Sequence, residues 1–132
     1  MIEFYDDEHE RSFQTICKKM KCLECYQLSM AYLLALDIVL REHIEDVFDF
    51  EENCIRPDAL HKGWQTGTSR RTIRLAFNLW NGYAYEGETY IDKDGYENDL
   101  PSTNYTPAEI FCCNCNYAPY YWQAIQIRFE RV

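Results

Sequence analysis

Cys22-Leu23-Glu24-Cys25 and Cys112-Cys113-Asn114-Cys115 are both C-x-x-C, the spacing in this chain best suited to chemistry. A C-x-x-C turn points two thiolates to one side, and two such turns can complete the tetrahedron that zinc prefers, with Zn–S distances of about 2.3 Å. Cys22, Cys25, Cys112 and Cys115 are therefore expected to hold one structural Zn2+, stapling the first helical segments to the C-terminal one. Four protein ligands leave no open coordination position, so the ion would support folding and not turnover. Cys113 competes with Cys112, and Cys17 or a histidine can replace a pair member. Two other readings stand beside the staple. The cysteines can be buried thiols, a frequent fate of this residue type. A thioredoxin-like redox pair would need a βαβ pattern, which surrounds neither motif. Cys54 reads as a core or surface thiol.

Other constellations are absent. Asp92-Lys93-Asp94-Gly95 resembles the start of a calcium loop, but placing Gly95 at the sixth position puts Tyr90 first and Pro101 twelfth, where carboxylates are required. The sequence contains no phosphate-binding glycine loop, G-x-S-x-G elbow or H-E-x-x-H motif, and His9, His43 and His61 are scattered. No enzyme is expected. The acidic residues gather in three runs, Glu3–Glu10, Glu42–Glu52 and Glu86–Asp99. Such runs keep a small protein in solution, and mixed with aromatic residues they can also face a basic protein surface. The Tyr-rich run suits that role best: Glu86, Glu88, Tyr90, Asp92, Asp94, Tyr96, Glu97 and Asp99 are the expected partner-binding residues.

The elements that must carry these residues are mostly helical. Apolar positions at three- and four-residue intervals predict a helix over Asp6–Met20, with Phe13, Ile16, Cys17 and Met20 on one face. Glu24–His43, rich in Leu, Ala and Met, is predicted to be one central buried helix. Glu42–Glu52 reads as a loop or short irregular element. Ser69–Trp80 is the clearest amphipathic helix, burying Ile73, Ala76, Phe77 and Trp80 and stopping at Asn81-Gly82. Arg70, Arg71 and Arg74 fall off that face and are expected to pair with the acidic runs. Residues 83–105 form a loop or a β-hairpin turning at Lys93-Asp94-Gly95. Thr106-Pro107-Ala108-Glu109 announces a brief helix. A last helix, about Pro119–Glu130, is predicted to bury Tyr121, Trp122, Ile125 and Phe129.

The 132 residues suit one domain, 1–132, and 47% hydrophobic with 16% aromatic content excludes disorder. A net charge of −9, from 13 Lys and Arg against 22 Asp and Glu, argues against direct nucleic-acid binding and favours a basic partner. The acidic start MIEFYDDEHE is unlike a secretory signal, and Leu28–Leu40 is too short and too polar to span a bilayer. A cytoplasmic monomer with no membrane anchor is expected.

The segment from Trp64 to Tyr83, WQTGTSRRTIRLAFNLWNGY, with Phe48-Asp49-Phe50, Ile55-Arg56-Pro57 and the terminal Ala124–Phe129, resembles a family of small uncharacterised proteins from low-GC Gram-positive bacteria and their prophages. That family brings no catalytic residues; the cysteine pairs and the Tyr-rich insertion lie outside its pattern. The small, acidic, motif-poor chain also resembles zinc-containing type II anti-CRISPR proteins. This resemblance implies stoichiometric binding to Cas9, whose positively charged channels an acidic surface can occupy, hindering target DNA loading. Other classes are a zinc-stapled phage interaction or regulatory adaptor on another basic protein, a transcriptional or phage-assembly adaptor with Arg70, Arg71 and Arg74 as its contact face, and a metal-stabilised enzyme with a carboxylate site in the insertion. The expected fold is mainly α: a single compact helical domain with a small β-hairpin or irregular insertion and a four-cysteine zinc staple.

Overall fold

A computed structural model describes residues 1–112 and 115–132. Helix α1 (Asp7–Lys19) starts where the Asp6 carboxylate accepts the His9 backbone N–H at 2.8 Å, with Asp7, Glu8 and Glu10 in its first turn. Acidic groups there oppose the positive end of the helix dipole.

Helix α2 (Cys25–Leu34) opens on a Glu24–Gln27 capping box and buries every residue from Ser29 to Leu34. It is shorter than the single helix predicted through His43, because a second, short helix, α3 (Ile38–Arg41), begins after a break. Asp37 makes that break. Its carboxylate accepts the N–H groups of Val39 at 3.1 Å and Leu40 at 3.2 Å, the work of an N-cap, while Arg41 Nη1 donates to the free Ala35 carbonyl at 2.8 Å. Leu, Ala and Met propensity carries no trace of this local competition.

The acidic run expected to be irregular contains helix α4 (Ile44–Val47) and strand β1 (Phe48–Asp49), which pairs antiparallel with β2 (Cys54–Ile55) just beyond it, Phe48 opposite Ile55. A 3-10 turn at Pro57–His61 leads to helix α5 (Gly67–Asn81). Thr66 and Ser69 form its capping box, and Gly82 closes it at φ 79°, a left-handed conformation that glycine adopts without strain. Ile73, Ala76 and Phe77 are buried as predicted, and Trp80 is partly so.

Strands β3 (Tyr85–Ile91) and β4 (Glu97–Pro101) form an antiparallel hairpin, so the insertion takes the second of its two expected forms. Helix α6 (Pro107–Ile110) is brief and capped by Thr106; helix α7 (Ala118–Arg128) ends the fold. Tyr121, Ala124 and Ile127 of α7 are buried, whereas Trp122 and Phe129, predicted to be core, are exposed. Three consecutive aromatics cannot all lie on one helical face, since neighbours are separated by about 100°.

Helix α2 packs against α1, α5 and α7 around one continuous apolar cluster. Its partnership with α7 is antiparallel. Arg128 Nη1 lies 3.9 Å from Cys25 Sγ at one end, Ser29 Oγ donates to the Ala124 carbonyl at 3.1 Å in the middle, and the Tyr117 hydroxyl donates to Asp37 Oδ1 at 3.2 Å at the other. The domain is thus α-rich, about half helical, with two small antiparallel sheets.

Candidate functional site

Among the described residues the structure shows no group of four cysteines corresponding to the expected zinc staple. Cys25 stands at the N-terminus of α2 and Cys115 three residues before α7; because these helices run antiparallel, their N-termini lie at opposite ends of the pair. An 11-residue helix is about 16 Å long, whereas two sulfurs on one zinc are at most about 4.6 Å apart. Among the described residues no group of three or more His, Cys, Asp or Glu side chains could hold a metal ion. Cys22 and Cys54 are exposed; Cys17, Cys25, Cys112 and Cys115 are intermediate. Burial raises the Cys17 thiol above its ordinary pKa, which marks it as a packed thiol. Cys113, the expected competitor of Cys112, lies outside the described residues.

The acidic, Tyr-rich residues are gathered on the hairpin. Tyr85 pairs with Pro101, Thr89 with Asp99, Tyr90 with Asn98 and Ile91 with Glu97, with an irregularity between Tyr85 and Thr89 where Gly87 adopts φ 88°. The turn is organised by Asp92. Its Oδ1 accepts the N–H groups of Asp94 at 2.9 Å and Tyr96 at 3.0 Å, and its Oδ2 accepts Asn98 Nδ2 at 2.8 Å. The Tyr96 amide and then the Asn98 side chain hold this carboxyl below its usual pKa. Gly95, at φ 87°, completes the reversal.

The hairpin root is fixed to the helical body. Glu86 takes a hydrogen-bonded ion pair from Arg74 Nε of α5 at 2.6 Å, largely shielded from solvent on both sides. The Tyr105 hydroxyl donates to the Tyr85 carbonyl at 2.8 Å, and Ser102 N–H donates to the Ala84 carbonyl at 2.8 Å. Burial pushes the Tyr105 and Tyr83 phenols upward, so both remain protonated and able to donate. Glu86 is consequently an anchor and not part of the open acidic surface. Asp92 likewise serves the turn. Arg74 pairs with an acidic run as expected, but Arg70 Nε donates to the Leu60 carbonyl and Arg71 Nη2 to Thr68 Oγ1.

Beyond Glu86 the ribbon is uncovered. Tyr90 is 46% exposed, Ile91 64%, Tyr96 71% and Leu100 40%, interleaved with the exposed Glu88, Asp94, Glu97 and Asp99. Ile91 and Leu100 belong to this surface and escaped the sequence reading. Strand alternation could have drawn attention to them, because an apolar residue in an otherwise polar ribbon needs a partner face.

An α-rich domain bearing an anchored acidic hairpin is the class that fold and site define. The chain belongs to DUF6075, a family of unknown function whose model matches residues 1–132. No curated protein and no solved structure matches it. No helix among the described residues is long and apolar enough to cross a membrane.

Proposed function

We propose that the chain is a stoichiometric protein-binding factor that presents the β3–β4 hairpin to a basic surface of its partner. The supporting observation is the uncovered ribbon, with Tyr90, Ile91, Tyr96 and Leu100 exposed among carboxylates. A two-stranded hairpin is marginal without a packed face, and a partner supplies one. Aromatic and aliphatic anchors give binding energy when desolvated, while the surrounding carboxylates steer the encounter and select a basic partner. The root contacts of Glu86, Tyr105 and Ser102 hold the ribbon in place before binding, which reduces the ordering cost.

Guide-loaded Cas9 is the partner that the resemblance to type II anti-CRISPR proteins implies, and its positively charged channels match the hairpin's sign. Inhibition would come from occupying a surface needed for target DNA loading, with no turnover. The test titrates the protein into guide-loaded Cas9 and follows binding of fluorescent target DNA. Loss of DNA binding near equimolar protein, reversed by Tyr96→Ala with Ile91→Ser, is expected. Added salt should weaken the effect, because exposed charges are screened. Unchanged DNA binding at about tenfold excess removes Cas9 as the partner.

A further inference from the structure

Between α5, α6 and α7, with Tyr26 of α2 at one edge, lies a cavity of about 680 Å³, remote from the open part of the hairpin. Small-molecule sites occupy about 300–1,000 Å³. Its walls are mainly apolar, including Leu75, Leu79, Trp80, Ile110, Phe111 and Ile125. Among the described residues Arg128 is the one charged side chain that lines it, with no Asp or Glu in the lining.

The guanidinium of Arg128 is held in a defined position. Its Cζ sits 3.7 Å from the Tyr26 ring centroid and 4.8 Å from that of Phe129, and its Nε donates to the Leu79 carbonyl at 2.7 Å. That one bond accounts for a structural duty, satisfying a carbonyl in the last turn of α5. It leaves the two terminal nitrogens, of which Nη1 meets only Cys25 Sγ at 3.9 Å. Among the described residues no carboxylate forms an ion pair with Arg128; Arg11, Arg56 and Arg74 each have one, while Arg41, Arg70, Arg71 and Arg131 share its lack but do not line this cavity. In a chain of net charge −9, Arg128 thus lines a mainly apolar space with no carboxylate partner among the described residues. Three other polar side chains of the lining are engaged within the fold: Asn78 Nδ2 donates to the Tyr83 carbonyl, Asn81 Oδ1 accepts the Tyr83 N–H, and the Tyr105 hydroxyl donates to the Tyr85 carbonyl.

We propose that this cavity binds a small apolar carboxylate, its hydrocarbon or aromatic body between Trp80, Phe111 and Ile125 and its carboxylate on the terminal nitrogens of Arg128. A planar guanidinium matches a carboxylate in geometry as well as charge, and the stacking of Tyr26 fixes its orientation in advance. The apolar walls supply affinity, and the single cation supplies the choice of anion over neutral ligand.

The probes are 1-naphthoate and the uncharged 1-naphthamide, titrated separately into the full chain by calorimetry while the Trp80 indole signal is followed by NMR. Naphthoate should bind about tenfold more tightly than the amide or better, and both should shift Trp80. Arg128→Gln should erase the difference between the two ligands, and Leu79→Trp, which fills the cavity, should weaken both. Arg128→Gln also removes the bond to Leu79, so the comparison on the wild-type chain decides the matter whether or not that variant folds. Equal affinity for the two probes, or no shift of Trp80 at millimolar naphthoate, overturns the proposal.

Discussion

Helix α2 and the β3–β4 hairpin are both rich in large apolar side chains, and they use them in opposite ways. Tyr32 of α2 is wholly buried, its hydroxyl donating to the Glu3 carbonyl at 2.5 Å, and burial pushes its phenol far above the ordinary range. Tyr96 at the hairpin tip faces water. The lesson is that residue type alone does not separate what builds the molecule from what the molecule can offer a partner. Packing does. Truncating the two tyrosines should expose the contrast. Tyr32→Ala should cost about 3–5 kcal/mol of unfolding free energy in urea, as aromatic truncations in packed cores do. Tyr96→Ala should change it by less than about 0.5 kcal/mol while weakening partner binding. Comparable stability losses would mean the hairpin is part of the core and would end the distinction.

Asp37 sharpens the comparison, because the hairpin's Asp92 is its half-buried counterpart. Both carboxylates organise backbone N–H groups, but Asp37 is buried and also accepts the Tyr117 hydroxyl. Asp37→Ala should cost about 1–2 kcal/mol through the lost cap, measured by the same urea titration. Tyr117→Phe should cost less, since it removes one of the three bonds to Asp37.

His9 carries the contrast into pH. It is wholly buried, Nε2 donates to the Tyr32 carbonyl at 2.9 Å, and Nδ1 accepts the Tyr5 N–H at 3.0 Å, which requires the neutral ring. Burial is the largest cause lowering its pKa from 6.5; the Tyr32 carbonyl and Asp6 oppose the shift and Arg41 adds to it. Between the lowered folded value and 6.5 the unfolded chain binds a proton that the native chain does not. Stability should therefore be full above about pH 6.5 and fall as pH drops below it, until the folded value is passed. Urea midpoints between about pH 7.5 and pH 5.5 check this, and His9→Gln should flatten the slope over that window.

Much of the fold was legible because local signals agreed with tertiary packing. The α5 face of Ile73, Ala76 and Phe77, the Gly82 stop, the Thr106-Pro107 start of α6 and the turn at Gly95 all follow from short-range rules. The break at Asp37 was hidden because helix propensity does not register a carboxylate that caps the following N–H groups in the middle of an apolar run. The exposure of Trp122 and Phe129 was hidden because apolar and polar residues are mixed on every side of this segment, with Gln123 buried, and its inner face is chosen by packing on α2 and α5. Within the candidate site, the acidic residues were visible as composition. That Glu86 is an anchor depends on Arg74 arriving from α5 beside the hairpin root, and no local pattern encodes that meeting.

The cysteine pairs give the smallest expected effect and the most direct test of the helical packing. Spacing within each C-x-x-C says that two thiols can share a turn; it says nothing about whether the two turns meet. Each pair precedes or opens a helix, and α2 and α7 are antiparallel, so the packing that buries Ser29 against Ala124 also drives the pairs apart. Bringing them together on one ion would require α7 to reverse or slide by roughly its own length, about 16 Å, with loss of the Asp37–Tyr117 and Arg128–Leu79 contacts. Incubation with EDTA should therefore leave the thermal midpoint of the freshly purified chain unchanged, and Cys22→Ser with Cys115→Ser should shift stability by less than about 0.5 kcal/mol. One equivalent of tightly bound zinc, with a fall of several degrees on chelation, would show that the pairs converge and that α2 and α7 pack differently.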